Sequence, residues 1–257
     1  MNTLTFRKPN ITHIVDACEH GLGGWATHGR AWVWIIPESL CGRAHINLLE
    51  FLANVVAIWI EIIERTIKKE DCVLSMGDSS TAMGWLRRIK IKLISEFADD
   101  TVAKQRVARK LAEIVLKAEA VLYRQWFEGG SNLLADSLSR DAVFLDHATH
   151  LAFLNRVVPR QLPKNFQILP VPNAISCFIT STLLLLPVGK QRSMPLKPSE
   201  MLHGDVGTYF WNKSGCKNSH SWNACQSSNK TSLSQPLSKP PMRHLSYQDI
   251  EDIWWKA

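Results

Sequence analysis

The chain predicts an α/β fold, a mixed five-stranded sheet with flanking helices, followed by a poorly ordered basic C-terminal tail. Three observations carry this. Residues 11–36 read as strands broken by glycines. From residue 48 the apolar period lengthens to that of a helix. Strand-like and helix-like segments then alternate as far as about residue 140.

The elements follow in order. Thr12-His13-Ile14-Val15-Asp16 is extended, the glycines from Gly21 to Gly24 mark a tight turn, and Gly24-Trp25-Ala26-Thr27 resumes the strand. Ala31 to Ile36 is rich in aromatic and β-branched residues and stops at Pro37, which completes an antiparallel meander. Leu48, Leu49, Leu52, Val55, Val56, Trp59 and Ile63 then form one helical face, with Asn47 as the expected N-cap. Val73 to Met76 is a short buried strand, and the crossover helix before it implies parallel pairing. A helix is expected over residues 80–90. A second, over residues 103–118, has Val107, Leu111, Ile114 and Val115 inward and Lys104, Arg106, Arg109 and Lys110 exposed. Ala120 to Phe127 is the fifth strand, and residues 132–140 begin the last helix. Trp25, Trp85 and Trp126 are expected in the core.

Bulk properties divide the chain. Residues 1–150 hold 18 basic and 18 acidic residues, so the whole excess of +7 lies beyond them. A basic tail on a neutral domain suits sequence-independent contact with phosphate backbones. Residues 1–150 are expected to form one domain, 151–189 a partly ordered extension, and 190–257 a largely disordered tail with a short terminal helix. Ile175 to Val188 is the only strongly apolar run in the tail and falls short of the roughly 20 residues that cross a bilayer, so a buried element and no membrane partner are expected. Six scattered cysteines and a polar, basic N-terminus point to a reducing, intracellular setting, cytoplasm or nucleus. Cys216, His220 and Cys225 offer only three ligands and lack a Cys-x2-Cys pair, so no zinc site is expected there.

The chemistry concentrates in four acids. Asp16 ends the first strand, Glu50 lies early in the first long helix, Asp78 ends the strand of residues 72–77, and Asp136 lies in the last helix. Any one alone reads as surface charge. Jointly they suit phosphodiester hydrolysis, which uses two divalent ions roughly 4 Å apart to activate water and neutralise the leaving oxygen. Carboxylates gathered so closely repel one another and make sense only with cations present.

The words His45-Ile46-Asn47-Leu48-Leu49-Glu50 and Ala135-Asp136-Ser137-Leu138-Ser139-Arg140, with the order of the four acids, resemble the type 1 ribonuclease H domain of DIRS-like retrotransposons. The likeness to gypsy-type elements and pararetroviruses is weaker. It covers residues 10–145 well and continues weakly to about residue 205. The resemblance implies a ribonuclease H-like fold and cleavage of the RNA strand of RNA–DNA hybrids. It implies that Asp16 bridges two magnesium ions, with manganese as the substitute. Glu50 and Asp78 would complete one ion site and Asp136 the other. It also implies a polymerase domain of the same element as partner. No Tyr-x-Asp-Asp turn is present, so the chain reads as an N-terminally truncated piece of a reverse transcriptase polyprotein.

Two positions depart from the family pattern. Ser79 stands where Asn often follows the third acid, and the loop Glu128-Gly129-Gly130-Ser131-Asn132 has no His. Asn47 and Ser79 are candidates for the minor groove, where 2′-hydroxyls mark RNA, and Arg87 and Arg88 for the phosphate backbone, along with Lys90 and Lys92. The rival readings are a catalytically silent remnant that only binds nucleic acid or serves as structure, and another nuclease of the same fold, such as a transposase or junction resolvase.

Overall fold

A computed structural model of the chain describes residues 8–87 and 100–188. The meander is β1 (Ile11–Cys18), β2 (Gly21–Ala26) and β3 (Arg30–Ile35). It is followed by α1 (Ile46–Ile63), β4 (Cys72–Gly77), α2 (Ser80–Arg87), α3 (Thr101–Ala118), β5 (Val121–Trp126) and α4 (Leu133–Arg140). Beyond these lie α5 (His147–Val157), β6 (Gln167–Pro170) and α6 (Asn173–Leu183). The sheet order is β5-β4-β1-β2-β3-β6. The pairs β1–β2 and β2–β3 are antiparallel; β1–β4, β4–β5 and β3–β6 are parallel.

The sheet is therefore mixed, as expected, but has six strands rather than five. The sixth is a four-residue edge strand ending at Pro170, and the prolines around it conceal it in the sequence. Gln167 donates its backbone N–H to the Gly29 carbonyl at 2.8 Å, which seats β6 against β3. Proline is tolerated there because an edge strand leaves one row of backbone groups unpaired. The stretch expected as an extension thus joins the same sheet, and Ile175, Ile179 and Leu183 of α6 are fully buried in its core. Among the described helices α1 alone is long and apolar enough to cross a membrane, yet most of it is packed inside the protein.

Period-two alternation splits each strand between two cores. Ile11, Val15 and Ala17 of β1 face α1, α2, α3 and α6, whereas Ile14 packs with Trp25, Leu74, Leu134 and Leu138 on the side of α4 and α5. Each such fully buried leucine contributes about 2 kcal/mol of apolar burial.

Three local expectations are corrected. The glycines 21–24 do not form the turn: they lie within β2, and the chain reverses before them at residues 19–20. A Cβ at Gly23 would sit 2.6 Å from the Leu138 carbonyl carbon and the Ser139 nitrogen, and one at Gly21 only 2.3 Å from the Ser139 carbonyl oxygen. The glycines are thus there for close packing of backbone on backbone, which brings α4 down onto the sheet. His45, not Asn47, caps α1, its Nδ1 accepting the Asn47 backbone N–H at 3.3 Å. Trp25 is buried and Trp85 packs edge-to-face on Phe51, but Trp126 is 55% exposed, because it ends the edge strand β5.

On α3 the apolar face is as expected. Of the four basic residues expected to be exposed, Arg109 is exposed, but Lys104 lies 4.8 Å over the Trp85 ring and Lys110 4.5 Å over Trp59, so both are half-buried, as is Arg106. The end of the helix expected to reach residue 90, the tail from 190 onward, its terminal helix and the Cys216–Cys225 segment lie outside the described residues.

Candidate metal centre

Strand register brings the first two acids together. β1 and β4 run parallel with Ile14 opposite Met76. Two residues further along, the same register sets Asp16 beside Asp78; Asp78 follows the last residue of β4, but Asp16 does not end β1 as expected, since the strand runs on to Cys18 with Asp16 opposite Gly23 of β2.

Glu50 arrives from α1 in the second turn of that helix. Its position is fixed by a buried polar bridge. Asn54 Nδ2 donates to the Glu50 carbonyl at 2.7 Å, and Ser75 Oγ donates to Asn54 Oδ1 at 2.6 Å, tying α1 to β4. In a dry interior such a bridge holds register firmly, because each member left alone would be an unsatisfied polar group.

Asp78 is held from the other side. Trp126 Nε1 donates to the Asp78 carbonyl at 2.8 Å. Gly129 presses against its carboxylate, where an added Cβ would stand 2.6 Å from Oδ2. The histidine-free loop therefore packs directly on the third acid. Ser79 caps α2, its Oγ accepting the Ala82 N–H at 3.2 Å, and so turns the chain away immediately after Asp78.

The result is a cluster in which one carboxylate oxygen each of Asp16, Glu50 and Asp78 lie within 4.8 Å of one another. Asp16 and Glu50 are buried and Asp78 half-buried. Glu50 Oε2 is buried with no hydrogen-bond partner. A buried carboxylate oxygen with nothing to accept from is costly and is the natural ligand of a cation. Three hard oxygen donors suit magnesium, calcium or manganese rather than a thiolate-seeking metal. The buried triad can hold a metal ion.

Electrostatics agree with the geometry. Burial first, then the neighbouring Asp136 and Asp78 carboxylates, holds Asp16 well above the usual carboxylate range, against a hydrogen bond from Ser139 and the charge of Arg140. Glu50 is raised in the same way, by burial first and then by Asp16 and Asp78, against the Ala17 backbone N–H and Arg140. Without a cation the fold carries these acids at a cost.

Asp136 stands apart from the trio. It is close enough to raise Asp16, but its Oδ1 accepts from Arg140 Nε at 2.7 Å one helical turn on. Ser139 Oγ donates to Asp16 Oδ2 at 2.5 Å, and Asn132 Nδ2 donates to the Val15 carbonyl at 3.0 Å, so α4 is pinned to β1 on both sides of the acid.

Of the substrate candidates, Asn47 is half-buried in the first turn of α1 and Ser79 is half-buried directly after Asp78 in the chain. Arg87 ends α2. Arg88, Lys90 and Lys92 lie outside the described residues. Sequence reasoning missed Asn54, Ser75, Ser139, Arg140 and Trp126 as parts of the centre. Only Ser139 and Arg140 carried a signal, since both belong to the word around Asp136.

Neither protein-family models nor curated proteins give a match to this chain.

Proposed function

We propose that the chain is a metal-dependent endonuclease of the ribonuclease H type, hydrolysing the RNA strand of RNA–DNA hybrids as part of a retroelement reverse transcriptase. The observation that carries this reading is the meeting of Asp16, Glu50 and Asp78 oxygens within 4.8 Å around an orphaned Glu50 oxygen. Asp136 adjoins them, and the two sequence words frame the second and fourth acids. The six-stranded sheet is compatible with a ribonuclease H-like core of β1 to β5 with an added edge strand.

Bound divalent ions, magnesium with manganese as substitute, would supply a nucleophilic water and charge neutralisation at the leaving oxygen. The chain's own residues do the rest. Asp16, Glu50 and Asp78 provide the ligand oxygens. Asn54 and Ser75 keep Glu50 in register, and Ser139 orients Asp16. Asn47, three residues before Glu50, and Ser79, directly after Asp78, are the candidates for an RNA strand's 2′-hydroxyls, and Arg87, at the end of α2, and Arg88, next in sequence, are the candidates for the phosphate backbone.

The test is Asp78→Asn, assayed on a labelled RNA–DNA hybrid with magnesium. Cleavage should fall by at least about a hundredfold while the far-ultraviolet spectrum is retained, since the amide keeps the shape and removes the charge that holds the ion. The control is Asp71→Asn. Asp71 accepts the Lys68 backbone N–H at 2.7 Å before the opposite end of β4, and its loss should change activity by only a few-fold. Equal losses at the two positions, or no cleavage by the unaltered chain with either ion, would remove the proposal.

A further inference from the structure

The oxygens of Asp16, Glu50 and Asp78 gather around one point, and the space on the side of Asp16 and Asp136 is occupied. Both groups that fill it come from the last turn of α4. Ser139 Oγ donates to Asp16 Oδ2, and Arg140 Nε donates to Asp136 Oδ1. The second of these is an i,i+4 ion pair in which the Asp136 side chain is only 9% exposed and the Arg140 side chain 42%. Burial disfavours the Arg140 charge, yet Asp136 and Asp16 outweigh it and hold the guanidinium firmly protonated. The same charge eases both Asp16 and Glu50.

Resting on the metal-dependent reading above, we propose that Arg140, assisted by Ser139, is the resident cation of this centre. The trio Asp16–Glu50–Asp78 would hold one divalent ion, while a second that drew on Asp136 would compete with Arg140 for its carboxylate, whose Oδ1 the guanidinium already occupies. Arg140 is thus a positioning residue that sets metal stoichiometry. It keeps the acids together when the site is empty of metal and makes loading of the second ion the weaker, conditional step. A phosphate backbone arriving at the cleft supplies an alternative partner for the released guanidinium, which links second-ion loading to substrate.

An opposite charge at this range changes the affinity of a carboxylate for a cation by a factor of about 10 to 1,000, and the half-exposed guanidinium belongs at the lower end. Manganese titration of the full chain by calorimetry, with thermal melts in EDTA and in manganese, reads this without recourse to activity. The unaltered chain should show one stronger and one weaker binding phase. In Arg140→Gln the weaker phase should tighten about tenfold, the melting temperature in EDTA should drop, and manganese should restore it by a larger margin than in the unaltered chain. Arg140→Lys, which keeps the charge, should resemble the unaltered chain. If Arg140→Gln folds only with manganese present, the ion has replaced the guanidinium and the proposal stands. If it stays unfolded at every manganese concentration, or binds with unchanged phases, the proposal is overturned. Manganese uptake that is identical in both proteins removes this inference alone. No uptake by the unaltered chain removes the metal reading with it.

Discussion

Replacing Glu50 by glutamine should make the metal-free protein more stable and the metal-loaded protein less so. Glu50 is buried, lacks a partner at Oε2, and has an oxygen within 4.8 Å of oxygens from both Asp16 and Asp78. Two unit charges at that separation, at an effective dielectric near 20, repel by about 3 kcal/mol. A raised acid can shed part of this by taking a proton, and Arg140 offsets more, so the relief on removing the charge is about 1–2 kcal/mol. Glutamine retains an oxygen for the Ala17 amide and offers an N–H₂ to the two remaining carboxylates. For a fold of this size the gain is a rise of about 2–8 °C in melting temperature in EDTA. With magnesium the order should invert. A ligand at a hundred times its dissociation constant adds about 2.7 kcal/mol to the protein that binds it, and the variant forfeits most of that. The sign with pH follows from the raised acids. Carboxyls whose folded pKa exceeds the unfolded value destabilise the fold as pH climbs above the usual carboxylate range, so the advantage of the variant in EDTA should grow from pH 4 upward and level off above the raised pKa. A variant less stable than the unaltered protein in EDTA, with an unchanged response to magnesium, would show that Glu50 is a structural residue and refute the argument.

Three further outcomes are expected. Gly23→Ala places a methyl 2.6 Å from the backbone of Leu138 and Ser139, which cannot swing aside; it should cost about 3 kcal/mol or more in a urea melt, and a loss below 1 kcal/mol would mean α4 does not rest on β2 as described. Asn54→Ala strands Ser75 Oγ in the core and frees the Glu50 carbonyl, so stability should fall by about 2–3 kcal/mol and the magnesium-induced rise in melting temperature should shrink; an unchanged rise would detach Asn54 from the site. His13 and His150 are both pushed down to about 4 by burial, so each contributes stability that is complete above the unfolded value near 6.5 and is lost as pH falls toward 4; His150→Gln should flatten the acid limb of a stability–pH curve, and an unaltered limb would contradict this.

What the sequence revealed, and what it hid, divides along a physical line. Elements whose signal is local were legible. The α1 stripe, the strand before Asp78 and the α3 face are written in the period of their apolar residues, and all three appear within a few residues of the expected ends. The gathering of Asp16, Glu50 and Asp78 was legible as well, because their order along the chain and the type of element carrying each are features of the sequence. What failed depended on a distant neighbour. The glycines of β2 look like a turn until α4, more than a hundred residues away, is seen lying across them. β6 has only four residues and borrows its identity from β3. Trp126 resembles a core residue because tryptophan usually is one, but its place on an edge strand leaves the ring in solvent.

The same distinction explains why the centre is more than its acids. The elements that carry the acids are joined by contacts between residues far apart in sequence: Asn54 to Ser75, Asn132 to the Val15 carbonyl, Ser139 to Asp16, Trp126 to the Asp78 carbonyl. None of these supporting side chains is charged, so together they fix the carboxylates without neutralising them. The repulsion that remains is what a divalent ion relieves, and Arg140 forms a direct ion pair with Asp136. Neutral supports that hold the carboxylates, beside a counter-charge that is only half-buried, suit the exchange of that counter-charge for metal proposed above: the acids are held together first, and an ion can then be admitted.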